Sequence, residues 1–309
     1  MTLREALAEG ISILISPCPS ALIDTPALDA SLLLADTMQI TRTELVVRGN
    51  EAIAERDLQK FRNLLERRRN GECIAYILGR KEFRGLEFAV NPHVLVPRPE
   101  TETLAEAALE YLDSAAEKGT RGLSLLDLCT GSGALAISLA NERPDVSVTA
   151  SDISAGALEI AALNAARLLG PAEEPARFIQ GIRFIKSVRF IKSDLFENIP
   201  DKFNIIVSNP PYVPSCELPA LAPEVQREPG LALDGGEDGL FLIRKIISRS
   251  PEHLLPGGVL LLEAGPGQMA EIKTLLENHN FDSVNIRRDL AGRERVISAE
   301  KSFQDKRVL

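Results

Sequence analysis

From residue 120 onward, short apolar runs alternate with longer stretches of helical periodicity. The runs are Leu123–Cys129, Val146–Ala150, Val188–Ile191, Phe203–Val207 and Val259–Leu262. Each is almost continuously apolar, so both faces of each strand must be covered. Strands of that kind, separated by helices, build a parallel sheet with helices on both sides. Two further strands, Val284–Arg288 and Arg295–Ala299, are joined only by "DLAGRE" and are expected to pair antiparallel. The fold class is therefore α/β, and such sheets take their ligands at the carboxyl edge of the strands.

The stretch "LLDLCTGSGALAISLA" (Leu125–Ala140) reads as a buried strand, a glycine-rich turn and an amphipathic helix. Gly131 and Gly133 allow a tight turn and close backbone approach to a ligand. Asp152, near the end of the next strand and 21 residues after Gly131, is placed to accept both hydroxyls of a ribose. A dinucleotide fingerprint would need a third glycine where Ala136 stands. Asp127, at the end of the first strand, can sit near an ammonium or sulfonium charge. The combination suits S-adenosylmethionine better than a nicotinamide cofactor. Asp194 and Leu195, ending the third strand, are placed to meet the adenine.

The fourth strand stops at Ser208 and runs into "NPPYVP" (Asn209–Pro214). Two prolines cannot continue a sheet, and their fixed φ makes the loop rigid. A planar NH2 group is a poor nucleophile because its lone pair is delocalised. Asn209 Oδ1 and the Pro210 carbonyl could hold its two hydrogens and stabilise positive charge growing on nitrogen. Tyr212 offers an aromatic face. A proline-terminated strand with no chemistry is the simpler reading for Asn-Pro alone, but not for Asn-Pro-Pro-Tyr beside a glycine-rich turn.

Charge narrows the partners. Lys+Arg 35 against Asp+Glu 44 gives a net charge of -9, the wrong sign for a protein that tracks phosphates. The four cysteines, Cys18, Cys73, Cys129 and Cys216, lack C-x-x-C spacing, and His93, His253 and His279 are far apart. No metal site or disulfide framework is expected. The first residues lack a signal-peptide pattern and no apolar run approaches spanning length, so a cytoplasmic protein is expected.

Residues 1–80 read as a separate helical domain. Leu3, Leu7, Ile11 and Leu14 share one face, with Pro17 and Pro19 closing that helix. Thr25-Pro26 opens a second helix through Leu28, Leu32 and Leu33. A third carries Leu58, Phe61, Leu64 and Leu65 and ends at Arg67-Arg68-Arg69 and Gly71, cations complementing the helix dipole. Residues 81–97 alternate around Phe83, Leu86, Phe88 and Val90, with turn residues at Asn91-Pro92, and read as a β-hairpin linker. Residues 98–309 form the catalytic domain, whose first helix starts at "RPETE" (Arg98–Glu102). Within it a hexapeptide recurs three times: "RFIQGI", "RFIKSV", "RFIKSD" (Arg177–Asp194). Only the last copy is needed as a sheet strand, and the others are expected to lengthen a loop.

Taken together, "LLLAD", "AYILGRKEF", "VLVPRPETE", "LLDLCTGSGALAISLA", "VSNPPYVP", "REPGLALDGGEDGL" and "GGVLLLE" make the chain resemble the HemK-type release factor glutamine methyltransferases over nearly its whole length. The resemblance implies a Rossmann-like class I S-adenosylmethionine-dependent methyltransferase sheet. It further implies methylation of N5 of the glutamine in the Gly-Gly-Gln motif of peptide chain release factors. Separately, a monomer without direct nucleic-acid contact is expected, the latter from the net charge. Carried over, the resemblance puts the donor on Cys129, Thr130, Gly131, Ser132, Gly133 and Asp152. Leu195 would sit at the adenine, and Asn209, Pro210, Pro211 and Tyr212 would hold the substrate. Cys129 replaces the family's usual glycine, and Leu195 stands where some members place an aromatic ring. An N6-adenine DNA or RNA methyltransferase would share the Asn-Pro-Pro-Tyr chemistry, but should carry a basic recognition domain and stacking aromatics; aromatics are only 5% here, with no tryptophan. A non-catalytic binding module would have no use for both a donor turn and an acceptor clamp.

Overall fold

The computed structural model describes residues 1–16, 23–170, 177–179, 182–185 and 187–302, with side chains omitted at 177–184. Pro17, Cys18 and Pro19 therefore lie outside the described residues. The chain forms two compact units. One consists of residues 1–80 with 220–228, the other of residues 81–219 and those from 229 onward.

The first unit contains α1 (Leu3–Ile15), α2 (Pro26–Met38), α3 (Arg42–Val47), α4 (Glu55–Arg69) and α5 (Ile74–Leu78). α1 and α3 each open on a capping box, Thr2 with Glu5 and Thr41 with Glu44, which satisfies two otherwise orphan N–H groups per helix. Leu3 and Leu14 of the expected α1 face are buried, while Leu7 and Ile11 pack at the edge of the core. Gly10 is a glycine because Phe61 lies against it: a Cβ there would stand 2.6 Å from the ring. The arginines ending α4 do more than complement a dipole. Arg68 is buried, its Nε 2.6 Å from Asp29 Oδ2 and its Nη1 2.6 Å from Glu224 Oε2. That pairing binds residues 220–228 into the helical unit, although the sequence reading kept them in the 98–309 domain.

The second unit opens with a hairpin, β1 (Arg80–Phe83) and β2 (Leu86–Ala89). Its turn is Arg84-Gly85, both left-handed at φ 49° and 73°. Two consecutive positive φ values match the right-handed twist of the flanking strands. The turn is therefore not at Asn91-Pro92, which makes a separate bend closed by Val94 N donating to Asn91 O at 3.1 Å. α6 (Thr101–Glu117) follows. Then come β3 (Ser124–Leu128), α7 (Ala134–Glu142), β4 (Ser147–Asp152), α8 (Ala155–Leu168), β5 (Arg177–Ile179), β6 (Ile182–Ile185), β7 (Val188–Lys192) and β8 (Phe203–Ser208). The chain continues through α9 (Phe241–His253), β9 (Leu254–Glu263), α10 (Met269–Asn278), β10 (Phe281–Arg288) and β11 (Glu294–Lys301).

Among the described residues, nine strands form one sheet in the order β10-β11-β9-β8-β3-β4-β7-β6-β5. The five from β9 to β7 are parallel, and β10 and β11 are antiparallel as expected. Alternate residues of each central strand enter different cores. Leu125 and Ile205 face α6, α7 and α8, whereas Leu126 and Ile206 face α9 and α10. This explains the unbroken apolar runs.

The hexapeptide repeat corrects the sequence reading. All three copies are strands, not one strand and a loop: β5 pairs antiparallel with β6, and β6 with β7. A period of six suits a minimal meander of short strands. So short a connection leaves antiparallel pairing as the only option.

Candidate active site

The sheet reverses its direction of strand addition between β3 and β8, and ligands of open α/β sheets bind at the carboxyl ends flanking such a switch. Leu128 of β3 lies opposite Ser208 of β8, and the Ser208 hydroxyl donates to Leu128 O at 2.8 Å. The glycine-rich turn and the Asn-Pro-Pro-Tyr segment thus leave the sheet side by side.

The turn after β3 bends through three left-handed residues, Cys129 at φ 60°, Gly131 at 54° and Gly133 at 79°. This explains why the resembling family favours glycine at position 129; cysteine holds that conformation at a cost of about 1–3 kcal/mol. Burial, and next the charge of Asp152, push the Cys129 thiol up, so it stays protonated and is no nucleophile. Gly133 caps α7 with no room for a side chain, since a Cβ would meet Ile137 at 2.7 Å. Gly131 differs: nothing lies within 4 Å of where its Cβ would be. That space opens on the cavities described next.

Asp152 shapes this turn from the next strand. Its Oδ2 accepts from Gly131 N and its Oδ1 from Ser154 N, each at 2.9 Å. Asn164, fully buried on α8, supports the turn from below by donating to Ser132 O at 2.9 Å. The sequence offered no signal for that asparagine inside an alanine-rich helix.

Beside the turn lies a cavity of about 230 Å³. Cys129, Gly131, Asp152, Asp194, Leu195 and Asn209 all line it, with Pro211. Leu195 is itself left-handed, at φ 46°. Residues the sequence reading missed complete the walls: His93–Leu95 after the hairpin, and Phe241 and Lys245 of α9. A smaller cavity of about 60 Å³ shares Cys129, Gly131 and Asn209 and contains Asp127, Thr130, Ser132 and Thr101. Burial pushes the Asp127 carboxyl up to about 7, against the hydrogen bond donated by Thr130 Oγ1 at 2.6 Å. Gly133, Pro210 and Tyr212 line neither cavity.

Behind Asn209 stands a polar pair. Asn209 Nδ2 donates to Thr101 Oγ1 at 3.0 Å, and the Tyr212 hydroxyl donates to Glu263 Oε1 at 3.4 Å. Glu263 ends β9 and is 0% exposed. Its signal was available: an acid closing an apolar strand at the ligand edge of the sheet. Among the described residues, no group of three or more histidines, cysteines and acids could hold a metal.

Residues 5–79 match the family described as PrmC N-terminal domain, and residues 105–220 match the methyltransferase small domain. The release factor glutamine methyltransferase of Neisseria gonorrhoeae is 42% identical over 271 residues, covering 88% of this chain and 92% of that protein. The one from Burkholderia pseudomallei is 40% identical over 272 residues, 87% of this chain and 90% of that protein. The one from Moorella thermoacetica is 38% identical over 300 residues, 97% and 98% of the two chains. The chain belongs to the release factor glutamine methyltransferase family. A solved structure of the hMettl16 catalytic domain in complex with MAT2A 3'UTR hairpin 6 shares the fold, with a TM-score of 0.54 at 14% identity, covering 77% of this chain and 82% of that one.

As a release factor glutamine methyltransferase, the chain uses S-adenosylmethionine. The site suits that donor: a cavity walled largely by apolar residues, with Asp152 at the end of β4 and Asp194 after β7 in its lining, and open space over Gly131. Asp152→Ala is expected to weaken binding of S-adenosylhomocysteine by about 1.5–3 kcal/mol, the scale of lost charged hydrogen bonds. Isothermal calorimetry measures this directly; unchanged affinity would remove Asp152 from the donor site.

Proposed function

We propose that the chain transfers a methyl group from S-adenosylmethionine to the side-chain amide nitrogen of the glutamine in the Gly-Gly-Gln motif of peptide chain release factors. One observation carries this reading. With Asn209 Nδ2 tied to Thr101, the amide's Oδ1 is the atom left for a substrate, at the wall of the donor cavity. When bound, the donor supplies an electrophilic methyl group. The protein's task is to aim an unreactive nitrogen at it. Asn209 Oδ1 and the Pro210 carbonyl accept the two hydrogens of the substrate NH2, fix its plane, and stabilise positive charge growing on nitrogen. Pro211 walls the cavity next to them, and Tyr212 holds the loop through Glu263. On this reading the donor lies on Cys129–Gly133, Asp127, Asp152, Asp194 and Leu195, and the helical unit recognises the release factor.

The enzyme is proposed to act as a cytoplasmic monomer on protein, not on nucleic acid. The net charge of -9 supports that preference. Among the described residues, no helix is long and apolar enough to cross a membrane. The deciding experiment incubates the protein with labelled donor and either a release factor or duplex DNA, followed by peptide mass spectrometry. Label on the Gly-Gly-Gln glutamine is the expected result; label on DNA alone would overturn it.

The pH dependence of donor binding tests the role of Asp127. A carboxyl raised to about 7 is largely protonated below that pH, and a cationic ligand group favours its ionised form. Donor affinity should therefore rise as pH increases through about 7 and then level off. Calorimetry of S-adenosylhomocysteine from pH 5.5 to 8.5 should show that limb, and Asp127→Asn should lose it.

A further inference from the structure

We infer that Gln268 is a positioning residue: its side-chain amide locks the Asn209–Tyr212 loop to the segment that leads into α9. The inference rests on the acceptor clamp proposed above. That clamp works only if Asn209 Oδ1 and the Pro210 carbonyl keep fixed places relative to the donor cavity. Their loop leaves the sheet after β8, and its two prolines stiffen it without supplying N–H groups to anchor it.

Gln268 supplies the anchor from beyond the end of β9. It lies half-buried in the short turn Pro266–Gln268, just before α10. Its Nε2 donates to Tyr212 O at 2.9 Å and to Asp238 O at 3.3 Å, while its Oε1 accepts from Gly265 N at 2.9 Å. An amide NH2 has two hydrogens, and both are used. The three partners also fix its orientation: turned over, the oxygen would face two carbonyls. The backbone is shaped to admit this amide. Gly239 is buried at φ 77°, and a Cβ there would collide with both Tyr212 O and Gln268 Nε2.

The far side of the amide leads to the donor. Two residues after Gly239 the chain enters α9, whose Phe241, Leu242 and Lys245 line the larger cavity. The amide therefore ties the acceptor loop to a wall of the donor cavity, and the two ends depend on it unequally. Asp238 has further ties: its Oδ1 accepts from Leu240 N and from Arg244 Nη1, each at 3.0 Å, and Arg244 also pairs with Glu271 of α10. Tyr212 O, among the described residues, accepts from Gln268 alone. The Tyr212 hydroxyl on Glu263 holds the ring, whereas Gln268 holds the backbone. Val213 exchanges hydrogen bonds with Leu233 and Gly235, so Gln268 closes the end of that short ladder nearest the Pro210 carbonyl. Loss of the amide loosens the acceptor loop and leaves the donor wall in place.

The test is single-turnover methylation of a release factor at pH 8, where a glutamate is ionised, with calorimetry of S-adenosylhomocysteine alongside. Gln268→Met keeps the length and bulk of the side chain without its polar ends. Gln268→Glu keeps the shape and the acceptor for Gly265 but sets a carboxylate against two carbonyls. Each should lower kcat by about tenfold or more while donor affinity stays within about threefold of wild type, as expected when reacting groups are misplaced by a fraction of an ångström. Wild-type kcat in either variant, or donor affinity that falls as far as kcat, would overturn the proposal. A second readout needs no substrate: amide hydrogen exchange at Val213 and Gly235 should quicken in both variants. Unchanged exchange would sink the anchor even with kcat lowered. If wild type methylates no glutamine while exchange does respond, the function fails and the anchor stands.

Discussion

Replacing Asn209 by alanine is expected to lower kcat on release-factor glutamine by on the order of 10²-fold or more. That is the scale on which loss of one pre-organised polar partner of a developing charge is felt. Donor affinity should change much less, because Asn209, though expected to touch the donor as well, is one residue among contacts that come mainly from the ends of β3, β4 and β7. The fold should survive: Asn209 lies at a strand end, partly exposed, with one side-chain hydrogen bond to lose. Single-turnover kinetics, calorimetry with S-adenosylhomocysteine and thermal melting separate these effects. A stable Asn209→Ala protein with wild-type kcat would remove the amide clamp.

A comparably large effect is expected within the helical unit. Arg68→Ala should destabilise the helical unit by about 3–5 kcal/mol, because it leaves the Asp29 carboxylate uncompensated in the interior. Asp29 is only 3% exposed at its side chain, and Thr25 Oγ1, at 3.0 Å, would be its remaining side-chain hydrogen bond. Replacing both partners, Arg68→Met with Asp29→Leu, should recover much of the loss, since a buried ion pair is often no better than an apolar pair of similar volume. Urea unfolding of the single and double variants closes this cycle. Equal destabilisation in both would show that the arginine acts through packing of its stem alone.

What the sequence disclosed is what short-range chemistry determines. Unbroken apolar runs marked the central strands, and glycines 131 and 133 marked the turn that needs positive φ. Thr101 and Glu263 escaped as parts of the site because their partners are 108 and 51 residues away along the chain. Nothing local in "RPETE" or "LLLE" says that the threonine of one meets Asn209 and the acid of the other meets Tyr212. The hairpin was legible but its turn was not, because an arginine at φ 49° gives no turn signal. Residues 220–228 left the catalytic unit for a similar reason: the acid at 224 pairs with an arginine more than one hundred and fifty positions earlier. The partners of Tyr212 were not legible either: its hydroxyl donates to Glu263 and its ring packs at the edge of the core.

The tripled hexapeptide occupies a place where copy number is uncoupled from chemistry. The innermost copy, β7, keeps its parallel register on β4 from Val148–Val188 to Asp152–Lys192, and this register delivers Asp194 and Leu195 to the cavity. Among the described residues, the outer copies form sheet pairs only with β7 and with each other. Each added hexapeptide therefore widens the sheet by one rung at its rim and re-aims no cavity residue. Slippage in a short tandem repeat, ruinous inside most enzyme domains, is tolerated here because the unit duplicated is also the smallest unit by which a sheet can grow.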